Sequence, residues 1–600
     1  MARQRVSKIR RFLLSTLVVA ASAQAQAARE AAQDDLFFDT VEVNVVNVEV
    51  IVTDRDGVPI PDLGPDDFEL LEDGQPVKLS NFFAVEGRET VRSLIGERKA
   101  DDAASGPETQ QLNLIVYIDD FNLTPQNRTP ILKNLRKYLA ADFDPRDQVM
   151  LVTFNGDVEI AQPFTNDLEL LNAAIDKIEE RLGRSAVFNA ERGRILAAID
   201  NARLFGEGNG GQPLQRSTGP VNVNDAAETE LTARALTQEI RNFSEESYRR
   251  TRQTLRSLET FTDSLAGMRG RKAILYVSDG MSLRPSDSLV EAWLDKFERW
   301  VLNNGKTEIM RNLTTLSSTE LDTTRDFEAL VAQASANRVA FYPLSNAGRA
   351  TSRISAQFSG SSVYNSSAGS PRPGDSEAFL TESSLLTLAE GTGGLAFTRS
   401  TNIGGLLDRM TGDFTTFYSL GYTPPADREA GFHSVAVKVR RDGAKVRHLK
   451  GYRQKDPLEN LQDLALSAAS TGLEDNELGV RLTPGEQTKS KGDRFQVQVM
   501  VQIPFEKLLL LPEAEHHSGR VTVYVVVRDL ERSGISVPQR IELPIQIPNS
   551  RILEALGQVA AYPLQLDIEK GRKRISLGVR DNLARVDSTV SVELEVGGQG

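Results

Sequence analysis

Apolar runs separated by helical patterns constrain this fold more than any other feature of the sequence. The runs are LNLIVYI at 112–118, QVMLVTF at 148–154, AILYV at 273–277 and VAFYPL at 339–344. Continuous apolar runs of this length are typical of parallel strands that are covered on both faces. The alternation of such strands with amphipathic helices predicts a doubly wound α/β domain over residues 110–415.

Patterns typical of β-strands flank this domain on both sides. Residues 37–90 predict an N-terminal β module, and residues 416–455 predict a β-hairpin that turns at Asp442-Gly443. We expect these two segments to pair, with the α/β domain inserted between them, because the ends of a domain usually lie close together. Further alternating stretches over 456–600 predict a C-terminal β-sandwich.

Two low-complexity segments interrupt the α/β pattern, at 206–225 and 352–375. Both are rich in small and polar residues, which is typical of long loops. Loops of this kind often carry specificity in binding proteins. We therefore expect partner specificity to reside in these two segments.

The first 27 residues are predicted to be a secretory signal peptide. Five basic residues precede an apolar run of about 12 residues, and Ala25 and Ala27 supply the small residues of a cleavage site. A membrane-spanning helix needs roughly 20 apolar residues. We therefore expect cleavage, no membrane insertion of the mature chain, and a periplasmic or extracellular location.

Charge and residue content exclude several classes of site. Removing the five basic residues of the signal peptide takes the formal charge from −13 to −18, so binding of nucleic acid through the overall field is not expected. The chain contains no cysteine, which excludes disulfides and thiolate metal sites. The histidines have no zinc-binding spacing and lie outside the α/β domain, at His433, His448, His516 and His517.

Acidic residues follow two of the apolar runs, at Asp120 and Asp279. Parallel strands end at one edge of a doubly wound sheet, where such sheets bind ligands, so we expect both carboxylates on one rim. Carboxylates in one place repel unless a cation lies between them, and Asn122 and Thr124 add uncharged oxygens. Oxygen ligands suit Mg²⁺, Mn²⁺ or Ca²⁺. An alternative interpretation, in which the two acids cap helices, stays open.

The run Asp120-Phe121-Asn122-Leu123-Thr124 resembles the D-x-S-x-S pattern of the von Willebrand factor type A (VWA) domain. YVSDG at 276–280 is similar to the segment that carries this family's second aspartate. VTDRDGVPIPDLGPDDF at 52–68 and YSLGYTP at 418–424 resemble bacterial VWA-related proteins of the acidobacterial type. The resemblance covers about 38–455.

This resemblance implies a Rossmann-like VWA domain with a metal-ion-dependent adhesion site. Its residues would be Asp120, Asn122, Thr124, Ser185 and Asp279, with Ser185 in place of the family's loop threonine. It implies a binding protein rather than an enzyme, whose protein partner presents an acidic group to Mg²⁺, or to Mn²⁺ or Ca²⁺. Asp119 is expected behind the site or in solvent.

Three functions follow as hypotheses. The first is an exported protein that mediates protein–protein interaction or adhesion through the metal site. The second is a metal-independent structural scaffold of the same fold, in which the two acids are helix caps. The third is a metal-assisted hydrolase that uses the same acidic rim, although the sequence offers no convincing general base or phosphate loop beside it.

Overall fold

The computed structural model describes most of the chain from residue 45 onward. The described ranges are 45–87, 89–95, 112–141, 143–181, 185–204, 223–315, 321–345, 373–398, 403–424, 431–532 and 534–598. The predicted signal peptide, residues 37–44 and most of the two predicted loops lie outside the described residues. Among the helices within these ranges, none combines the length and the apolar character that a bilayer crossing requires.

Residues 45–95 form a series of short strands. They are β1 (Val46–Thr53), β2 (Phe68–Glu72), β3 (Gln75–Val77), β4 (Asn81–Glu86) and β5 (Glu89–Ile95). Asp73 and Gly74 connect β2 to β3 with φ of 48° and 78°. Positive φ at both positions is the requirement of a tight hairpin turn, which the Asp-Gly pair satisfies.

The α/β domain is built on one five-stranded sheet. Its strands are β6 (Leu112–Ile118), β7 (Gln148–Phe154), β8 (Val158–Thr165), β9 (Arg271–Val277) and β10 (Val339–Leu344). The strand order is β10-β9-β6-β7-β8. Strands β10, β9, β6 and β7 are parallel, and β8 pairs antiparallel with β7 at the edge. This part of the chain has the doubly wound α/β arrangement that the apolar runs predict.

Helices cover both faces of this sheet and extend beyond it. They are α1 (Pro125–Ala141), α2 (Leu168–Glu179), α3 (Ser185–Asn201), α4 (Val223–Asp263), α5 (Asp287–Asn303), α6 (Thr307–Thr315), α7 (Thr324–Ala336), α8 (Pro373–Gly391) and α9 (Ile403–Thr415). One face packs against α1, α2 and α9, and the other against α4, α7 and α8. Asp167 caps α2 by accepting hydrogen bonds from the backbone N–H groups of Glu169 and Leu170.

A third hydrophobic cluster, formed by α3, the first half of α4, α5 and α6, was not anticipated from the sequence. We call these elements the helical layer. Trp293 and Phe297 lie at its centre, fully buried. Helix α4 has 41 residues, and its second half, from Leu255 onward, packs on the sheet instead. The helix therefore joins the helical layer to the sheet. It also begins at Val223, inside the stretch predicted to be a loop at 206–225.

The second predicted loop, at 352–375, also ends earlier than expected. Helix α8 begins at Pro373, and proline is favoured in the first turn of a helix because its missing N–H has no helical partner there. Phe397 follows α8 and forms a single parallel bridge to Leu344.

Strands from both sides of the α/β domain combine into one module of two sheets. The later strands are β11 (Phe417–Tyr422), β12 (Gly431–Val439), β13 (Lys445–His448) and β14 (Gly451–Gln454). Strand β1 pairs with β11 and β13, and β2 pairs with β12. The two sheets share one hydrophobic cluster. We call this the two-sheet module.

The strands on either side of Asp442-Gly443 do not pair with each other as the predicted hairpin requires. Strand β12 pairs with β2 and β14, whereas β13 pairs with β1. The turn therefore carries the chain from one sheet to the other instead of joining two neighbouring strands. An Asp-Gly pair indicates a reversal of direction, but it does not specify which strands then form hydrogen bonds.

Polar contacts join the two-sheet module to the α/β domain. Arg447 on β13 forms two hydrogen bonds to the Asp413 carboxylate on α9, at 2.5 and 2.6 Å. Tyr342 on β10 donates to the same carboxylate at 3.1 Å. Arg271 on β9 forms an ion pair of 2.6 Å with Glu49 on β1. These contacts fix the inserted domain against the strands that flank it in sequence.

The C-terminal part begins with a helix that the sequence interpretation missed. Helix α10 (Pro457–Thr471) opens with a capping box at Asp456 and Glu459 and closes at Gly472, with φ of 75°. It packs through Leu461 and Ala465 against the sheet that follows. The predicted β-sandwich at 456–600 therefore includes a helix at its start.

Two antiparallel sheets make up the rest of this part. The elements are β15 (Arg481–Lys489), β16 (Arg494–Pro504), β17 (Leu511–Pro512), β18 (His516–Asp529), β19 (Gln539–Pro548), α11 (Ile552–Ala555), β20 (Val559–Glu569), β21 (Gly571–Asp581) and β22 (Val586–Val596). One sheet has the order β15-β16-β20, and the other contains β17, β18, β21 and β22 with β19 beside β18. Residues of both sheets share one hydrophobic cluster.

Candidate functional site

The candidate site lies where β6, β9 and β10 end. Ile118 pairs with Val277 across β6 and β9, and Leu344 of β10 pairs with Val277 from the other side. Asp119 and Asp120 follow β6 directly, and Asp279 comes two residues after β9. We call this edge the rim. The two acids singled out from the sequence, Asp120 and Asp279, thus both follow neighbouring parallel strands.

Asp119 lies at the centre of a buried hydrogen-bond network. Its Oδ2 accepts from the hydroxyls of Tyr276 and Ser278, at 2.6 and 3.0 Å, and from the Asn122 amide at 2.8 Å. Its Oδ1 accepts from the Asn122 backbone N–H at 3.1 Å. Burial raises the pKa of Asp119, against the lowering effect of these hydrogen bonds. Asp119 is fully buried, so it lies behind the site and not in solvent.

Asp279 connects the rim to the first turn of α1. Its Oδ2 accepts from both the backbone N–H and the hydroxyl of Thr124, each at 2.8 Å. Its Oδ1 accepts from the Asn127 amide at 2.8 Å and from the Ser345 hydroxyl at 3.4 Å. Burial raises the pKa of Asp279, although these bonds oppose the shift. The carboxylate therefore joins the loop after β9 to the residues at the start of α1.

Asp120 faces an arginine. Its Oδ1 lies 3.2 Å from Nε of Arg128, and both side chains are almost completely buried. Among the residues that the structure describes, neither of these two atoms has a hydrogen-bond partner, so the contact is between charges without hydrogen-bond geometry. Burial raises the pKa of Asp120 to about 6, and the positive charge of Arg128 opposes that increase.

Backbone carbonyls hold the rest of the Arg128 guanidinium. One terminal nitrogen donates to the carbonyl of Arg181 at 2.6 Å, and the other donates to the carbonyl of Ile178. Both carbonyls lie at the C-terminal end of α2. The negative end of a helix dipole favours a cation there, so Arg128 is a fixed internal charge.

The other two predicted ligands also have partners within the protein. The amide of Asn122 donates to Asp119 and to Thr254, and its oxygen lies 3.4 Å from Nε of Arg250. The hydroxyl of Ser185, the first residue of α3, donates to the carbonyl of Leu123 at 2.6 Å. Of the five predicted ligands, Thr124 and Asp279 contact each other directly.

A divalent cation does not fit this arrangement. Asp120 and Asn122 point their oxygens at Arg128 and Arg250, and the hydroxyl of Thr124 is engaged by Asp279. A divalent ion about 4 Å from a guanidinium would be repelled by about 8 kcal/mol at an effective dielectric constant of about 20. Within the described ranges, no group of three or more His, Asp or Glu side chains is placed to hold a metal ion.

The sequence interpretation missed Arg128, although a signal was present. Arg128 precedes Ile131, Leu132 and Leu135 with the spacing of one helix face, and all three are buried. An arginine in an apolar stripe has to find a buried partner. The contribution of Arg250 had no such signal, because its contact with Asn122 joins residues that are 128 positions apart in the sequence.

A cavity of about 260 Å³ lies at the opposite edge of the sheet, between the α/β domain and the two-sheet module. His448 lines it together with Glu49, Arg271, Tyr342 and other residues. The Nε2 atom of His448 accepts from the Val437 backbone N–H at 3.2 Å, and Nδ1 lies 2.8 Å from the Leu449 carbonyl. Accepting at Nε2 requires a neutral ring. Burial lowers the pKa of His448 accordingly.

This histidine predicts a pH dependence of stability. The unfolded chain binds the His448 proton near pH 6.5, above the pKa in the folded state, so the contribution is complete above pH 6.5 and is lost as the pH falls. We expect this loss to reach at most about 1.4 kcal/mol per pH unit. The free energy of unfolding, measured with urea between pH 7 and pH 5, should change less steeply with pH in His448→Gln than in the wild type. An equal change of the unfolding free energy with pH in the wild type and in His448→Gln would contradict the prediction.

Comparisons with known proteins give little further information. No family model and no curated protein matches the chain. Among solved structures, similarity is found to an aerotolerance-related membrane protein from Bacteroides fragilis NCTC 9343 carrying multiple mutations to serines. The matched region covers 50% of this chain and 98% of that protein, with 11% identity and a TM-score of 0.21.

A second solved structure is the conserved hypothetical protein BatB from Bacteroides thetaiotaomicron. It covers 50% of this chain and 98% of that chain, at 10% identity with a TM-score of 0.20. TM-scores of 0.21 and 0.20 support no statement about a shared function.

Proposed function

We propose that this chain is an exported protein of VWA type that mediates protein–protein interaction through the rim and the adjacent helical layer. The observation that supports it most is the pair of 2.8 Å bonds from Thr124 to Asp279. These residues hold the position and spacing of two parts of the VWA adhesion motif, and they meet at the edge where doubly wound sheets bind ligands.

A binding role accounts for the rim better than catalysis does. A metal-assisted hydrolase would need Asp120 and Asp279 available to a metal or a substrate. Both carboxylates are engaged by side chains of the protein itself, Arg128 for Asp120 and Thr124 with Asn127 for Asp279. We therefore propose no enzymatic activity for this rim.

The chemistry at the rim suggests the kind of partner. Arg250 is half-buried, with its guanidinium 3.7 Å above the ring of Phe121 and 4.7 Å from that of Phe188. An acidic group on a protein partner would meet this guanidinium beside the rim. The net charge of −18 for the chain without its predicted signal peptide argues against nucleic acid as the partner.

Site-specific photo-crosslinking tests the proposed surface. Val187 lies two residues from Ser185 and is 79% exposed, whereas Val537 in the C-terminal part is 83% exposed. A photoreactive amino acid at 187 should crosslink a defined protein in cells of the source organism. The same residue at 537 is the matched control and should not. A product at neither position, or the same product at both, would contradict the proposed surface.

Export is part of the same proposal and has its own test. Residues 1–27 combine basic residues, an apolar run and small residues at the expected cleavage site. The mature protein should be recovered from the periplasm or the medium. Its N-terminal sequence should begin near residue 28. Full-length protein in the cytoplasm would contradict export.

A further inference from the structure

We infer that the guanidinium of Arg128 serves as the cation of the rim, in the place that a divalent metal has in the VWA adhesion motif. Partner binding at the rim then needs no metal. This inference rests on the proposed function, because it specifies how the same surface works.

The first argument is the place of Arg128 in the fold. It is 6% exposed, and Asp120 is 2% exposed. A buried carboxylate needs a compensating positive charge, and the nearest one is Nε of Arg128 at 3.2 Å. Because this charge belongs to α1 itself, it is present whenever the domain is folded.

The second argument is that Arg128 is not free to leave. Its two terminal nitrogens donate to the carbonyls of Arg181 and Ile178. Moving the guanidinium away would break both of these hydrogen bonds and leave the buried Asp120 carboxylate without the positive charge beside it. A metal ion entering beside Asp120 would have to displace Arg128 or tolerate it as a neighbour of like charge.

The third argument comes from the second predicted ligand. The amide oxygen of Asn122 lies 3.4 Å from Nε of Arg250, and the stacking of Arg250 over Phe121 keeps that guanidinium in place. Two of the predicted metal ligands therefore direct their oxygens at arginines that come from different helices, α1 and α4. One fixed guanidinium alone would be weaker support.

Metal titration of the full chain is the direct test. Mn²⁺ and Mg²⁺ are titrated calorimetrically into chelator-treated wild type and into Asp120→Asn. We expect no saturable binding to either protein. Saturable binding to the wild type that is lost in Asp120→Asn would overturn the inference. That outcome would leave the crosslinking result at Val187 untouched, so failure of the inference and failure of the proposed function are distinguishable.

A double-mutant cycle measures whether Arg128 and Asp120 act as a pair. The unfolding equilibrium is compared for the wild type, Asp120→Asn, Arg128→Met and the double variant. We expect the folding equilibrium constant of the double variant to be about tenfold larger than the value obtained by multiplying the two single effects. A coupling below about threefold would show that Arg128 and Asp120 do not act as a pair. Arg136→Met, at a partly exposed arginine on the same helix, is the control. If Arg128→Met does not fold, the metal titration decides whether the inference stands.

Discussion

Replacing Asp119 with alanine is expected to lower the free energy of unfolding by about 2–6 kcal/mol, because two fully buried hydroxyls lose an acceptor at about 1–3 kcal/mol each. These hydroxyls belong to Tyr276 and Ser278. Asn122 also loses two of its bonds to the carboxylate. The loop from Asp119 to Thr124 should therefore loosen together with the loss of stability.

Chemical denaturation measures this effect, and Asp176→Ala is its matched control. Asp176 pairs with Arg136 on the surface, and its side chain is 67% exposed. A surface ion pair of this kind contributes about 0–1 kcal/mol, so the control should remain close to the wild type. If Asp119→Ala were no less stable than Asp176→Ala, the buried network would not hold the rim.

Removing the carboxylate of Asp413 is the second large effect that we expect. Asp413→Ala leaves Arg447, a mostly buried arginine, without its counter-charge, and removes the acceptor of Tyr342. Removing one partner of a buried ion pair typically costs about 3–5 kcal/mol. The loss should be visible in the free energy of unfolding measured by urea denaturation.

A second variant separates the charge effect from a packing effect. Replacing both partners with apolar residues, as in Asp413→Leu with Arg447→Met, leaves no uncompensated charge and should restore most of the stability. The two residues belong to the α/β domain and the two-sheet module respectively. A double variant as unstable as Asp413→Ala would show that the charge pair is not what joins these parts.

The central sheet was predictable because buried parallel strands are apolar throughout. LNLIVYI at 112–118 is buried at every position, so its pattern carries no ambiguity about which face is covered. The helical layer was not predictable in the same way. Its core forms between helices that are far apart in sequence, such as α3 and α5, and periodicity in one segment does not show which other segment it packs against.

Helix α10 was missed for a different reason. Asp456, Pro457, Glu459 and Gly472 are the usual start and stop signals of a helix, and they were present in the sequence. Because strand patterns dominate the region that follows, the predicted β-sandwich was taken to begin at residue 456. Local capping signals were the better guide at that boundary.

The candidate site was predictable in position but not in its contacts. The meeting of Thr124 and Asp279 follows from the topology of parallel strands, since both residues come after strands that end at one edge. The pairing of Asp120 with Arg128 depends on side-chain direction within α1 and on the position of the end of α2. Those details arise only once the helices are packed, so the motif of oxygen-bearing residues gave no indication of the arginine beside Asp120.

The most direct test of this account is the yield of the Val187 crosslink in the presence of EDTA and of Mg²⁺. We expect a defined protein partner to be captured at position 187 with the same yield under both conditions, because Arg128 provides the positive charge at Asp120. A crosslink that disappears in EDTA and returns with Mg²⁺ would contradict the metal-independent rim. No crosslink at position 187 under either condition would contradict the rim as the partner surface.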